Sequence, residues 1–294
     1  MNHFLASELV LNADSSVYHL KLLPEDIADF IIVVGDQNRV SMVSKYFDKI
    51  EIQKSNREFV THTGYIGKRR VSVISTGIGV DNIDIIFNEL DILSSIDLKT
   101  KKLKKTKRLF KIIRLGTTGA LNKKVNIDDI LFSKYAIGID GIPYHYQFEE
   151  AKVLEQKLSK DFENATHWPS RLAIPYAAKA SDSLWDQVYE EKFIKGITLT
   201  LNGFYGPQNR QLRIPIQQPQ LFKNCEKIKY KNLNITNLEM ETAGLYAFGK
   251  IFKHEVLSIN AVLANRIEGN FSKTPYKTIK KMIEFLCAKI ESIS

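Results

Sequence analysis

Three apolar runs in this chain end in the same way. FIIVV (30–34), VSVIS (71–75) and LFKIIRL (109–115) are each of strand length, and each reaches a glycine within two residues. A strand with little polar content on either face must be covered on both faces, as parallel strands between helices are. Ile83, Ile86, Leu90 and Leu93 recur at helical spacing from Asp81 onward, so a helix covers one face of that sheet. These runs predict an α/β fold. DILFSKYAI (129–137), GITLTL (196–201) and LSINAVLANR (257–266) are further predicted strands, and Gly64 to Arg70 a hairpin. Leu238 to Phe252 reads as a largely buried helix. The last helix is predicted to take Thr274 as N-cap and Pro275 as its first residue, and to bury Ile279, Ile283, Leu286 and Ile290. The stretch around DGIPYHY follows no period.

No repeat, linker or shift in composition divides the 294 residues, which implies one domain over 1–294 with a polar arm at 1–18 and a basic loop at 99–108. The hydrophobic content of 44% can fill such a core. No apolar run approaches the roughly 20 residues that cross a bilayer, and the N-terminus lacks a signal-peptide pattern. A cytoplasmic location without a membrane partner is therefore expected. The net charge of +9 raises the question of nucleic acid, but KTKKLKKTKR (99–108) holds seven basic residues and no acid. The rest of the chain is then nearly balanced, and a run without interleaved aromatics reads as a solvated loop. Cys225 and Cys287 form no CxxC pair and read as buried or idle thiols. The histidines show no zinc-ligand spacing, so no metal is expected.

The glycine-ended strands point to a ligand, because open α/β sheets collect ligands at their strand ends. GDQNRV follows the first run and brings Gly35 and Arg39; GTTGAL follows the third, beside Arg114, Thr117 and Thr118. Two guanidinium forks with a threonine hydroxyl make a phosphate-sized anion site. Taken singly, GDQNRV also fits a helix-capping Asp36 and a surface Arg39. TGIGVDN has glycines at 77 and 79 that let backbone amides close around a small ligand. There is no GxxxxGK[ST] loop for a nucleoside triphosphate and no Gly-x-Ser-x-Gly nucleophile elbow. GFYGPQNR (203–210) offers aromatic faces in Phe204 and Tyr205, a Gly-Pro turn, and Gln208 with Arg210. If that segment is extended, those two residues share a face and can reach one edge of a planar heterocycle. It also fits a surface turn with a solvated arginine. The acids of LEMETA could bind sugar hydroxyls or offset a helix dipole.

GDQNR, STGIGVDN, RLGTTGAL, FYGPQNR, LEMETA and VLANR occur in the order, and at roughly the spacing, of the pyrimidine branch of the nucleoside phosphorylase family, which this chain resembles from about His19 to the last helix. The resemblance implies a single α/β domain around a mixed, partly closed sheet flanked by helices. It implies reversible phosphorolysis of uridine, with inorganic phosphate as co-substrate and no cofactor. Gly35, Arg39, Arg114 and Thr117 match the phosphate-binding positions. Arg57 matches an arginine, and His19 a ribose-side histidine, that a neighbouring subunit supplies. Met240 and Glu241 match the ribose pair, Phe204 the aromatic beside base and sugar, and Gln208 with Arg210 the uracil pair. Catalysis is thus expected to rest on Arg210, Gln208, Glu241 and Arg114. The family's assembly is a hexamer built from dimers with shared sites. Some relatives hold potassium at an interface; Glu58 and Ile78 match two of its positions, while Asn82 replaces a serine. Asn265-Arg266 stands where the purine branch has a proton-donating aspartate, which favours pyrimidines. The alternatives are a purine nucleoside phosphorylase, a nucleosidase, and a non-catalytic nucleoside- or RNA-binding protein. Gln37 replaces the proline of GDPxR, Gly206-Pro207 reverses the usual turn order, and residues 211 to 237 depart from the family pattern.

Overall fold

The computed structural model describes residues 4–294, so the first three residues of the predicted arm lie outside the described residues. The elements run β1 (Phe30–Val34), α1 (Gln37–Ser44), β2 (Lys49–Asn56), β3 (Phe59–Ile66), β4 (Arg69–Ser75), α2 (Val80–Ser95), β5 (Ile96–Asp97) and β6 (Lys102–Leu103). They continue with β7 (Lys111–Ala120), β8 (Ile130–Gly138), α3 (Glu150–Val153), α4 (Gln156–Thr166), β9 (Tyr176–Lys179), α5 (Asp182–Val188) and β10 (Ile194–Thr200). The last part holds α6 (Leu221–Cys225), β11 (Lys229–Tyr230), β12 (Leu233–Glu239), α7 (Thr242–Ile251), β13 (Glu255–Asn265), β14 (Asn270–Phe271) and α8 (Pro275–Lys289). No helix among the described residues is long and apolar enough to cross a membrane.

The three glycine-ended runs are neighbours. β1 lies between β4 and β7, parallel to both, with Phe30 opposite Val71 and Lys111. From β7 the main sheet passes through β13, β8 and β10 to β12, and β12 then pairs back onto β7 through Asn237↔Ala120 and Leu238↔Gly119. That last pairing closes five strands into a ring, while β1, β4, β3 and β2 extend outward from it. Both parallel and antiparallel pairs occur along the path, and the ring closes only part of it, so the sheet is mixed and partly closed, as expected.

The helix α2 buries Ile83, Ile86, Leu90 and Leu93 completely, each worth about 1.5–3 kcal/mol relative to exposure. Its Glu89 is also buried, because it captures the chain just beyond the arm: its carboxylate accepts from the backbone of His19 and Leu20, both at 2.7 Å. The arm itself is not merely polar. Leu9 and Val17 join the main core. Cys225 and Cys287 are buried free thiols, and burial pushes both up to about 12.

Four expectations need correction. The third run does not stop at Leu115; β7 continues through the glycines to Ala120, because the ring needs that length to meet β12. Leu238 and Glu239 end a strand, and the helix predicted to include them begins only at Thr242. The basic run is only partly solvated. Lys102 and Leu103 form the short ladder with Ile96 and Asp97, and Lys104 donates to the Leu93 carbonyl. Lys107 is tied to Asp91 and the Phe252 carbonyl, and Arg108 to Asp29 and the carbonyls of Pro24 and Ile27. Thr274 sits at the predicted N-cap, but its hydroxyl donates to Asp128 at 3.4 Å instead of capping α8.

Against Phe110 and Phe87 lies His254, 5% exposed, whose Nε2 has no partner. Burial, aided by the charge of Lys107, pushes its pKa down to about 3 from 6.5. The unfolded chain therefore binds a proton that the folded chain refuses. His254 leaves stability intact above about pH 6.5 and erodes it as the pH falls toward 3, at about 1.4 kcal/mol per unit. Urea denaturation at pH 7 and pH 5 is expected to show a smaller acid loss for His254→Phe than for the unsubstituted chain. Equal losses would exclude this histidine as the cause.

Candidate active site

Inside β7, Arg114 and Gly116 share one strand face. A Cβ on Gly116 would lie 1.7 Å from Arg114 Nη1, so only glycine leaves room for the guanidinium to fold along the strand. Asn260 of β13 stands opposite Gly116, and its Oδ1 accepts from Arg114 Nη1 at 2.7 Å. The other nitrogen, Nη2, donates to Glu241 and lies 3.2 Å from Glu239 Oε2. Burial opposes the charge of Arg114, but the two carboxylates outweigh it and hold the group above its ordinary value. Glu241 moves up as well, through burial and the neighbouring Glu239, against the pull of Arg114.

The acids of LEMETA divide the two roles open to them. Glu239 accepts from the backbone N–H groups of Glu241 and Thr242 and from the hydroxyls of Thr242 and Thr200, so it caps α7 and offsets its dipole. Glu241 faces outward to Arg114 and to the Gly79 amide, which donates at 2.7 Å. Gly77 and Gly79 carry φ of 70° and 92°, a left-handed path that explains their identity in the loop leading to α2.

Asp36 does cap α1, accepting from Asn38 N at 2.9 Å, but Arg39 is not on the surface. It is 8% exposed, and its Nη1 donates to the Leu115 carbonyl at 3.1 Å. Burial and then the charge of Arg114 lower its pKa. Four of its five donors remain for a ligand. Thr117 lines the same space, whereas the Thr118 hydroxyl is engaged by the Leu238 carbonyl at 2.6 Å.

The segment 203–210 is not extended, which corrects the geometry expected for it. Tyr205 O accepts from both Gln208 N and Arg210 N, and Gly206 O from Asn209 N, with Pro207 at the second position of that turn. Gln208 and Arg210 still meet, by a different route. The Arg210 guanidinium folds back over the Phe204 ring, 3.8 Å from its centroid, and Nη1 donates to the Phe204 carbonyl and to Gln208 Oε1. Burial and then Arg266 push Arg210 down to about 10. Arg266 anchors the turn by donating to the Gln208 carbonyl at 3.0 Å. The two aromatics part company: Phe204 lines the cavity that holds Arg39 and Arg114, while Tyr205 lines a separate, largely apolar cavity of about 560 Å3 with Leu212 and Ile214.

One cavity of about 780 Å3 takes in Gly35, Arg39, Arg114, Thr117, Phe204, Gln208, Arg210, Met240 and Glu241. His19 and Arg57 are absent from its wall. The ring Nδ1 of His19 lies 2.7 Å from Glu89, and Arg57 occupies the exposed turn between β2 and β3 at φ 53°, its guanidinium 5.9 Å from the centre of the Tyr18 ring. Asn265 is also absent. Its amide donates to the Val125 carbonyl and accepts from Ile267 N and Glu268 N, so it does not select a base by contact. Glu58, Ile78 and Asn82 do line the cavity, but the Asn82 amide nitrogen packs beside Gly77 next to Glu58. Sequence reasoning missed Asn260 and Phe271. A polar residue inside the strand LSINAVLAN could have signalled the first, and a lone aromatic in GNFSK the second.

A strand ring carrying two buried arginines and an aromatic turn in one cavity has the architecture of a nucleoside phosphorylase. Residues 29–293 match the Phosphorylase superfamily, and the chain belongs to that family. It is 27% identical to a uridine phosphorylase of Thermococcus kodakarensis over 93% of this chain and 86% of that protein. It is 29% identical to the uridine phosphorylase of Escherichia coli over 79% of each. Among solved structures, a Trypanosoma brucei nucleoside phosphorylase described as showing uridine phosphorylase activity superposes with a TM-score of 0.84 at 25% identity, covering 97% of this chain and all of that one.

Proposed function

We propose that the protein catalyses the reversible phosphorolysis of uridine to uracil and ribose 1-phosphate. The observation that carries this reading is that two buried arginines and an aromatic turn with a Gln–Arg pair open onto one cavity large enough for a nucleoside and an anion. Phosphate, held by Gly35, Arg39, Arg114 and Thr117, attacks the anomeric carbon. The bond from phosphate oxygen to that carbon forms as the glycosidic bond breaks, and the electron pair of the broken bond passes to the base. Met240 and Glu241 hold the ribose while it is cation-like. Gln208 and Arg210 meet the negative charge that builds on uracil, stabilising the transition state more than the ground state. Phosphate is a co-substrate, and no cofactor enters this chemistry. The partial anchoring of the lysine run speaks against the RNA-binding alternative.

His19 and Arg57, outside their own chain's cavity wall, serve a neighbour's cavity in this reading, within a hexamer built from dimers and acting in the cytoplasm. The test is turnover of uridine and of inosine, each with and without phosphate. Uracil and ribose 1-phosphate are expected only when phosphate is present. Cleavage of inosine alone would replace the substrate assignment, and phosphate-independent release of uracil would make the protein a nucleosidase.

A further inference from the structure

Phe271 is 68% exposed although it lines the cavity, and it belongs to none of the groups discussed so far. Scattered exposed aromatics are ordinary, but this one stands on a hairpin anchored at both ends. β14 is only two residues long, and it returns along β13 with Phe271 opposite Ala264, itself part of the cavity wall. Asn265 builds the turn, its Oδ1 accepting from Ile267 N and Glu268 N while its carbonyl accepts from Gly269 N, with Gly269 at φ 72°. Beyond Phe271, Ser272, Thr274 and Thr278 all donate their hydroxyls to the Asp128 carboxylate. The backbone carrying the ring is thus fixed while the ring stays uncovered. A planar base lying against it would remove that apolar surface from water.

We infer that Phe271 is a base-contacting residue on the cavity wall that Phe204 also lines, and that Asn265 is its positioning residue. Asn265 then influences base choice through the hairpin it shapes and not by touching the base. Resting on the uridine reading above, the inference is tested by steady-state kinetics of the full chain with both substrates varied. Phe271→Ala is expected to raise KM for uridine on the order of tenfold, as loss of one base–aromatic stack does. KM for phosphate should stay within about twofold, because the ring touches only the nucleoside. Phe271→Tyr should restore the uridine value. Asn265→Ala should raise uridine KM on its own but add little in the Phe271→Ala background, since both changes remove the same contact. An unchanged uridine KM in an active Phe271→Ala enzyme overturns this inference and leaves the functional reading standing. Absence of phosphate-dependent uridine cleavage in the unsubstituted protein overturns the reading and the inference with it.

Discussion

Arg114→Ala is expected to cost more than any other single change in the cavity, lowering uridine turnover by about 10³-fold or more and also weakening the fold. The guanidinium is 5% exposed and joins Asn260, Glu239 and Glu241. Alanine leaves two buried carboxylates facing each other without their counter-charge, a loss of about 3–5 kcal/mol. That corresponds to a fall in melting temperature on the order of 10 °C. The two effects can be separated. Combining Arg114→Met with Glu241→Gln removes one of the stranded charges and should recover much of the melting temperature. Activity should not return, because neither the guanidinium proposed to hold phosphate nor the carboxylate proposed to hold ribose is restored. Calorimetric melting alongside turnover reads both. A variant as stable as the unsubstituted chain and retaining most of its activity would remove Arg114 from the centre of the site.

The apolar strands were legible because burial on both faces leaves a continuous run, as in FIIVV. β12 was not, although it closes the ring. Its sequence LNITNLE carries Asn237 and Thr236 into the interior, where Asn237 joins Thr198 and Thr118 through side-chain hydrogen bonds. Polar residues satisfied by one another inside a barrel resemble a surface loop in sequence. The same ambiguity cut β7 short, since GTTG reads as a turn until Gly116 is seen to make room for Arg114. Between residues 139 and 193 the elements are short and alternate quickly, so no period accumulates.

Most residues of the candidate site were legible one by one, but their geometry was not. The cavity unites nine of the residues anticipated for it, because strand-end glycines and arginines announce an anion site wherever the chain places them. Whether Glu239 or Glu241 caps the helix depends on one peptide's direction at the end of β12, which composition does not encode. Asn265 shows the opposite error. The residue read as favouring pyrimidines lies in a turn, where its side chain is taken up by the Val125 carbonyl and the backbone N–H groups of Ile267 and Glu268.

Arg210→Ala is expected to lower kcat/KM for uridine by about 10²-fold or more while leaving the fold almost unchanged. Unlike Arg114, this side chain bonds only within its own turn, to the Phe204 carbonyl and Gln208 Oε1, and stacks on Phe204. Its removal has two consequences for the base. The leaving group loses a charge-assisted donor, worth roughly 1–3 kcal/mol, and the Gln208 amide loses the contact that fixes its rotamer. Part of the loss should therefore appear in kcat, where charge develops, and part in uridine KM, with phosphate KM steady. Arg210→Lys should rescue little. An ammonium carries the charge but cannot lie flat on Phe204 while serving two oxygens in a fixed fork. Substantial rescue by lysine would mean that charge alone suffices, and near-normal uridine kinetics in Arg210→Ala would place base recognition elsewhere in the cavity.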